Sequence, residues 1–175
     1  VVNCTLVGNS TGGGDAGHGG GGVRGSGTVR NCLVINNTTG AAGDGGGIRD
    51  IATVESCTVC NNSGVSVGGY QGSGQVRNSI VFSNVPANYS GGTFSFSCTT
   101  PNPGGTSNIT VDPVFVKPSA YNYRLGLGSP CVNVGSNQAW MAAAEDLDGK
   151  PRVGRTLVDM GAYEQPVGGT IVVIH

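Results

Sequence analysis

Ionic chemistry is thinly supplied in this chain. Two histidines, ten carboxylates and nine Lys or Arg residues are spread over 175 positions, so only a few groups can act together. "AGHGGGGV" (16–23) and "AGDGGGI" (42–48) align with one Gly inserted, which brings His18 and Asp44 into one column. On neighbouring strands they form either a loop hydrogen bond or an acid–base or ligand pair, since His titrates near neutrality. Arg24 and Arg49 each follow an inward residue, Val23 or Ile48. Two guanidiniums stacked on neighbouring strands repel unless an anion lies there. Either Asp50 supplies it or an acidic sugar does. Arg24, Arg49, His18 and Asp44 are therefore the candidate ligand-binding residues.

The cysteines sort into two groups. Cys4, Cys32 and Cys57 recur in phase and read as buried, reduced, small apolar residues. "CTVC" (57–60) has the spacing of a metal or redox pair, but alternation along a strand turns Cys57 inward and Cys60 outward, and no second pair exists. Cys98 and Cys131 fall outside that series, and a disulfide between them would fix the C-terminal region in an oxidising compartment. "DLDG" (146–149) looks like a fragment of a calcium loop but lacks the closing Glu, so Asp146, Asp148 and Asp159 read as turn and cap carboxylates. "GGGG" is followed by no GK[ST], and no G-x-S-x-G occurs. No catalytic residue, metal or cofactor is assigned.

A repeat must position these residues. "VVNCTLVGN" (1–9) returns as "VRNCLVINN" (29–37), "VESCTVCNN" (54–62) and "VRNSIVFSN" (76–84), at steps of 28, 25 and 22 residues. Four columns stay in phase: Val1, Val29, Val54, Val76; Cys4, Cys32, Cys57, Ser79; Leu6, Val34, Val59, Val81; and Asn9, Asn37, Asn62, Asn84. "GGGV" (20–23), "GGGI" (45–48) and "VGGY" (67–70) precede the later copies. Val29 faces in and Arg30 out, yet Cys32 and Val34 must both face in. A bend at Asn31 resolves this, because Asn tolerates the left-handed backbone region. A second bend is expected at the Asn37 column. Each copy is then strand, bend, strand, bend, loop, which is one rung of a stack spaced about 4.8 Å. Stacked Asn amides would hydrogen-bond along the axis. Arg30, Glu55 and Arg77 alternate in sign in one outward column, a register device. "NQAWMAAAEDL" (137–147) is the one plausible helix.

Bulk composition removes several function classes. A net charge of −1 argues against a nucleic-acid partner. No run of about 18 apolar residues exists to span a membrane. Glycine, at 33 residues, far exceeds its usual share of about 7%, without a collagen period. The chain begins in mid-repeat, without Met or a signal peptide, and reads as a processed or excerpted piece.

"GGGI" and the V-x-x-N phrases resemble relaxed versions of the repeats of chlamydial polymorphic outer-membrane proteins. "FSFSC" (94–98), "VDPVFV" (111–116), "YRLGLGSPCVNVG" (123–135), "DLDGKPRV" (146–153) and "VDMGAYE" (158–164) resemble, in order, the C-terminal region of secreted bacterial β-helix-repeat proteins. The resemblance implies a bacterial protein, extracellular or at the cell surface, in a family of adhesin-like members whose fold also serves polysaccharide lyases and hydrolases.

The expectation is an all-β, single-stranded, right-handed parallel β-helix, or solenoid, with an irregular C-terminal capping region. Regular rungs span 1–97; further rungs and a cap span 98–175 and end in an apolar strand, "GGTIVVIH" (168–175). Ile171, Val172, Val173 and Ile174 either fold back locally or add to a neighbouring copy, head to tail. The expected function is a non-catalytic structural or adhesive module that binds extracellular polysaccharide or copies of itself. A polysaccharide lyase or glycoside hydrolase is the alternative.

Overall fold

The computed structural model describes residues 1–12, 19–40, 43–154 and 156–166. The chain winds into a parallel β-solenoid with three faces. The first face carries Val23–Arg24, Ile48–Arg49, Tyr70–Gln71 and Tyr89–Ser90. The second carries Thr28–Arg30, Thr53–Glu55, Gln75–Arg77 and Thr93–Ser95. The third carries Thr5–Val7, Leu33–Ile35, Thr58–Cys60, Ile80–Phe82 and Cys98–Thr99. All pairings within these faces are parallel and in register. Val29 lies beside Val54, Val54 beside Val76, and Val76 beside Phe94.

Two corners explain why the repeat has its polar residues. Between the second and third faces, Asn3, Asn31, Ser56, Asn78 and Phe96 all hold φ between 48° and 53°. The Asn31 column is thus the left-handed bend that the inward positions of Cys32 and Val34 require. After the third face the left-handed residues are Gly8, Asn36, Asn61 and Ser83. This second bend falls one residue before the expected Asn37 column, because the Asn37 column points inward to build a ladder. The Asn9 backbone N–H and Nδ2 both donate to Asn37 Oδ1, Asn37 does the same to Asn62, and Asn62 to Asn84, each at 2.9 Å. The glycine phrase belongs to the same corner. A Cβ on Gly47 would lie 2.9 Å from Asn62 Nδ2 and from Val59, and one on Gly69 would lie 2.8 Å from Asn84 Nδ2. Glycine lets the next strand start directly over the amide ladder.

Val, Cys, Ile, Tyr and Phe side chains from successive rungs fill the interior. Burial of each large apolar side chain contributes about 1.5–3 kcal/mol. Rungs shorten along the axis. The hydrogen-bonded step is 28, then 25, 22, 18 and finally 11 residues. The last turn is a partial one, with bridges from Ser95 to Thr106 and from Cys98 to Ile109.

The irregular C-terminal region lies along the outside of the third face. Leu33, Ile35, Cys60, Ile80 and Cys98 point outward there and are buried against Tyr123, Leu125, Cys131, Met160, Ala162 and Tyr163. Within it, Phe115–Lys117 pairs antiparallel with Asn122–Leu125. The Ala-rich segment expected to be a helix over 137–147 forms only a five-residue 3-10 helix, Ala139–Ala143. Its ends are pinned to separate partners, Gln138 to the Arg77 guanidinium at 2.8 Å and Ala144 O to the Arg152 N–H at 2.8 Å, which stops the helix from extending. Among the described residues no helix is long and apolar enough to cross a membrane.

Candidate functional site

The first face presents an outward row of Arg24, Arg49, Gln71 and Ser90, one residue per rung and in register. The next column is the corner residue, which is Gly25, Asp50, Gly72 or Gly91. Asp50 is the non-glycine member and holds φ at 58°. From that bend its Oδ2 lies 3.4 Å from Nε of both Arg24 and Arg49. The anion demanded by the stacked guanidiniums is therefore present within the chain. Arg24 and Asp50 are half exposed and Arg49 is mostly covered. Arg49 lies against the Gly19 backbone, where a Cβ would meet its Nη1 at 2.4 Å.

Asp44 stands behind this row and serves the loop of the next rung. Its Oδ1 accepts the backbone N–H of Ser66 and of Val67, the latter at 3.1 Å, and its Oδ2 accepts Gln71 Nε2 at 3.4 Å. Both carboxylate oxygens are thus taken up by protein donors. His18 lies outside the described residues, as do Ile171, Val172, Val173 and Ile174.

On the second face Arg30 and Glu55 form a two-point contact, with Nε at 2.9 Å and Nη2 at 2.7 Å from Oε2. The Arg30 guanidinium stacks 4.4 Å from the Trp140 ring.

The largest concentration of charge is one that sequence spacing did not reveal. Arg152 is fully buried and its Nη2 meets Glu164 Oε1 at 3.1 Å. Its Nη1 donates to Gly161 O at 3.1 Å. Asp146 and Asp159, also buried, stand close by. Both behave as the turn carboxylates expected. Asp146 accepts the N–H groups of Asp148, Lys150 and Glu164, and Asp159 accepts those of Asn133 and Gln165. Burial, with Asp159 adding like charge, pushes the Glu164 carboxyl up to about 8 despite the nearby Arg152. Asp148 is the opposite case. A hydrogen bond from Arg124 Nε at 2.7 Å, with Lys150 Nζ at 2.9 Å, holds it down to about 2. A cavity of about 240 Å³ adjoins the cluster, lined by Asn133, Lys150, Asp159 and Glu164 among others. The sequence signal for this cluster was the C-terminal motif string, whose charged residues pair with one another across motifs.

The cysteines divide as the sequence divides them. Cys32 and Cys57 are buried in the interior stack, each thiol donating 3.1 Å to the carbonyl two residues back. Cys4, at the partly covered first rung, does the same. Cys60 points outward, as expected, but is covered by the C-terminal region, and burial pushes its thiol pKa up. Cys98 and Cys131, the expected disulfide pair, are free thiols buried in the same apolar cluster.

Together these features define a parallel β-solenoid with one flank covered by its own C-terminal segment and a row of polar side chains on its first face. Searches of protein-family models, curated proteins and solved structures find no match to this chain.

Proposed function

We propose that the chain is a non-catalytic structural and adhesive module of an extracellular or surface protein, which lays an acidic polysaccharide along its first face. One observation carries this reading: the outward row of Arg24, Arg49, Gln71 and Ser90 repeats a polar side chain at every rung. Rungs about 4.8 Å apart set a regular ladder against which an extended polymer can lie. The acidic groups of the ligand would compete with Asp50 for the two guanidiniums. The resemblance to secreted bacterial repeat proteins points to the same compartment and role. Retention on immobilised polygalacturonate at low salt is the test. The wild-type chain is expected to be retained, to elute as salt rises, and to lose retention in Arg24→Ala/Arg49→Ala. Equal elution of both proteins would sink the proposal. End-to-end association is the same scaffold used along its axis.

A hydrolase reading has one observation in its favour. Glu164, with its raised pKa, and Asp159 line one cavity, and a carboxyl pair of which one member has a raised pKa is what glycoside hydrolysis uses. Against it, Glu164 contacts Arg152 and accepts the Asp159 N–H, and both Asp159 oxygens accept backbone N–H groups. New reducing ends released from polygalacturonate by the wild-type chain, and abolished in Glu164→Gln, would favour the enzyme.

A further inference from the structure

We infer that Cys98 and Cys131 form a disulfide that fastens the C-terminal segment to the solenoid. The two residues come from separate parts of the fold. Cys98 is in the last strand of the third face, Cys98–Thr99, on its outward side. Cys131 lies in the segment that covers that face. Both are fully buried in one apolar cluster, as free thiols, and Cys98 is the neighbour that most strongly raises the Cys131 thiol pKa. Each is held in place by its surroundings. The Cys98 thiol donates to Val111 O at 3.2 Å and its backbone N–H to Ser79 O at 2.8 Å. The Cys131 N–H donates to Ser129 Oγ at 3.2 Å, and its carbonyl accepts the Met160 N–H at 2.9 Å.

The interior cysteines are a built-in control. Cys32 and Cys57 follow one another in register on parallel rungs, so their Cβ atoms keep roughly the rung spacing of about 4.8 Å. A disulfide needs Cβ atoms about 3.5–4.5 Å apart. Cys60 shares the apolar cluster of Cys98 and Cys131 and is the competing partner.

The chemistry is an exchange with a disulfide oxidant, either glutathione disulfide or a thiol–disulfide oxidoreductase. One cysteine thiolate attacks the oxidant and releases one of its sulfurs as a thiol. The second cysteine then displaces the other, so the S–S bond forms, two protons leave, and two electrons reduce the oxidant to two thiols. In the folded chain the neighbouring Cys98, together with burial, pushes the Cys131 thiol pKa up. Oxidation therefore belongs to folding, before the flank closes.

The test is to refold the full chain from denaturant in a glutathione redox buffer, unfold it, alkylate without reduction and map the peptides by mass. The expected result is one linked peptide pair, Cys98 with Cys131, and four alkylated cysteines. Reductant should lower the melting temperature by roughly 5–15 °C, from the usual worth of a disulfide in a chain of this size. Cys131→Ser should melt like the reduced wild type and ignore reductant. Six alkylated cysteines, or a bridge from Cys98 to Cys60 or within Cys4, Cys32 and Cys57, would overturn the inference. The mass readout on wild type stands whether or not the serine variant folds.

Discussion

The solenoid and the segment on its flank are held by opposite rules. In the solenoid like lies over like: Val over Val, Cys over Cys, Asn over Asn, each partner one rung away. On the flank unlike groups meet once: Arg152 with Glu164, Arg124 with Asp148, Thr58 Oγ1 with the Ala162 N–H at 3.0 Å. A stack spreads its stability over many equivalent contacts, and the loss of one is local. A flank tied by single contacts depends on each of them. The flank should therefore be the more fragile region, and its buried pair the most sensitive point.

Arg152→Leu is expected to have the largest effect. It leaves Glu164, Asp146 and Asp159 in the interior without their guanidinium, and breaking a buried pair from one side costs about 3–5 kcal/mol. Urea unfolding followed by the fluorescence of Trp140, the single tryptophan, reads this on the flank itself. A loss under about 1 kcal/mol, judged against the same range, would erase the proposed contrast.

Asn62→Ala is the corresponding cut through the solenoid. Asn62 Oδ1 accepts both the backbone N–H and Nδ2 of Asn37, and all three Asn37, Asn62 and Asn84 side chains are buried. Unpaired buried donors cost about 1–3 kcal/mol each, so a loss of about 2–4 kcal/mol is expected. Asn9→Ala removes a side chain at the exposed first rung and leaves the bond from its backbone N–H to Asn37 Oδ1 intact. Its cost should stay near that of one ordinary hydrogen bond, about 1 kcal/mol. Equal effects at the two positions would mean that the ladder does not work as a stack.

Most of the solenoid was legible because its period repeats the evidence. Asn31 and Val29 each recur at the same offset, so one rung corroborates the next. Even the burial of both sides of the third face left a trace, in the apolar runs "CLVI" (32–35) and "IVF" (80–82). The second bend was placed one residue late because Asn36 and Asn37 are both Asn, and only the inward ladder tells them apart. Phe96 occupies the left-handed column with φ of 48°, a place that propensity would never give to Phe. The flank was not legible. Its contacts with the solenoid link residues as far as 121 positions apart, such as Asn78 with Ser136, Thr58 with Ala162 and Asn31 with Arg152, and no periodicity announces them. Its charged motifs could be recognised by resemblance, but which Asp answers which Arg is settled only by the folded packing.

Glu164 offers a pH test of the flank. Its folded pKa of about 8 lies above the ordinary carboxylate value of 4.5, so between those values the folded chain binds more protons than the unfolded one. The stabilisation is complete below about pH 4.5 and is lost as pH rises through about 8. One site can contribute at most about 1.4 kcal/mol per pH unit. The Trp140 transition should therefore move to lower urea from pH 5 to pH 8 in the wild type. Glu164→Gln should flatten that dependence. A wild-type midpoint that rises across this range would show that Glu164 is ionised beside Arg152.

The smallest effect is expected where the solenoid itself uses an unlike pair. Arg30 and Glu55 meet at 2.7 Å, but Arg30 keeps about 30% of its side chain exposed, and pairs of this kind couple by about 0.2–1 kcal/mol. Arg30→Ala alone should lose somewhat more, because the guanidinium also stacks on Trp140. A double-mutant cycle on Arg30→Ala and Glu55→Ala separates the two contributions. Glu55 lies in register with Arg30 on one side and Arg77 on the other, so Glu55→Lys would set three cations in a row. If that row costs no more than Glu55→Ala, alternation of charge does not guide the register, and the stacked apolar and Asn columns carry it alone. If the cycle gives a coupling well above about 1 kcal/mol, the solenoid relies on single unlike contacts as the flank does, and the two regions differ only in how often they repeat.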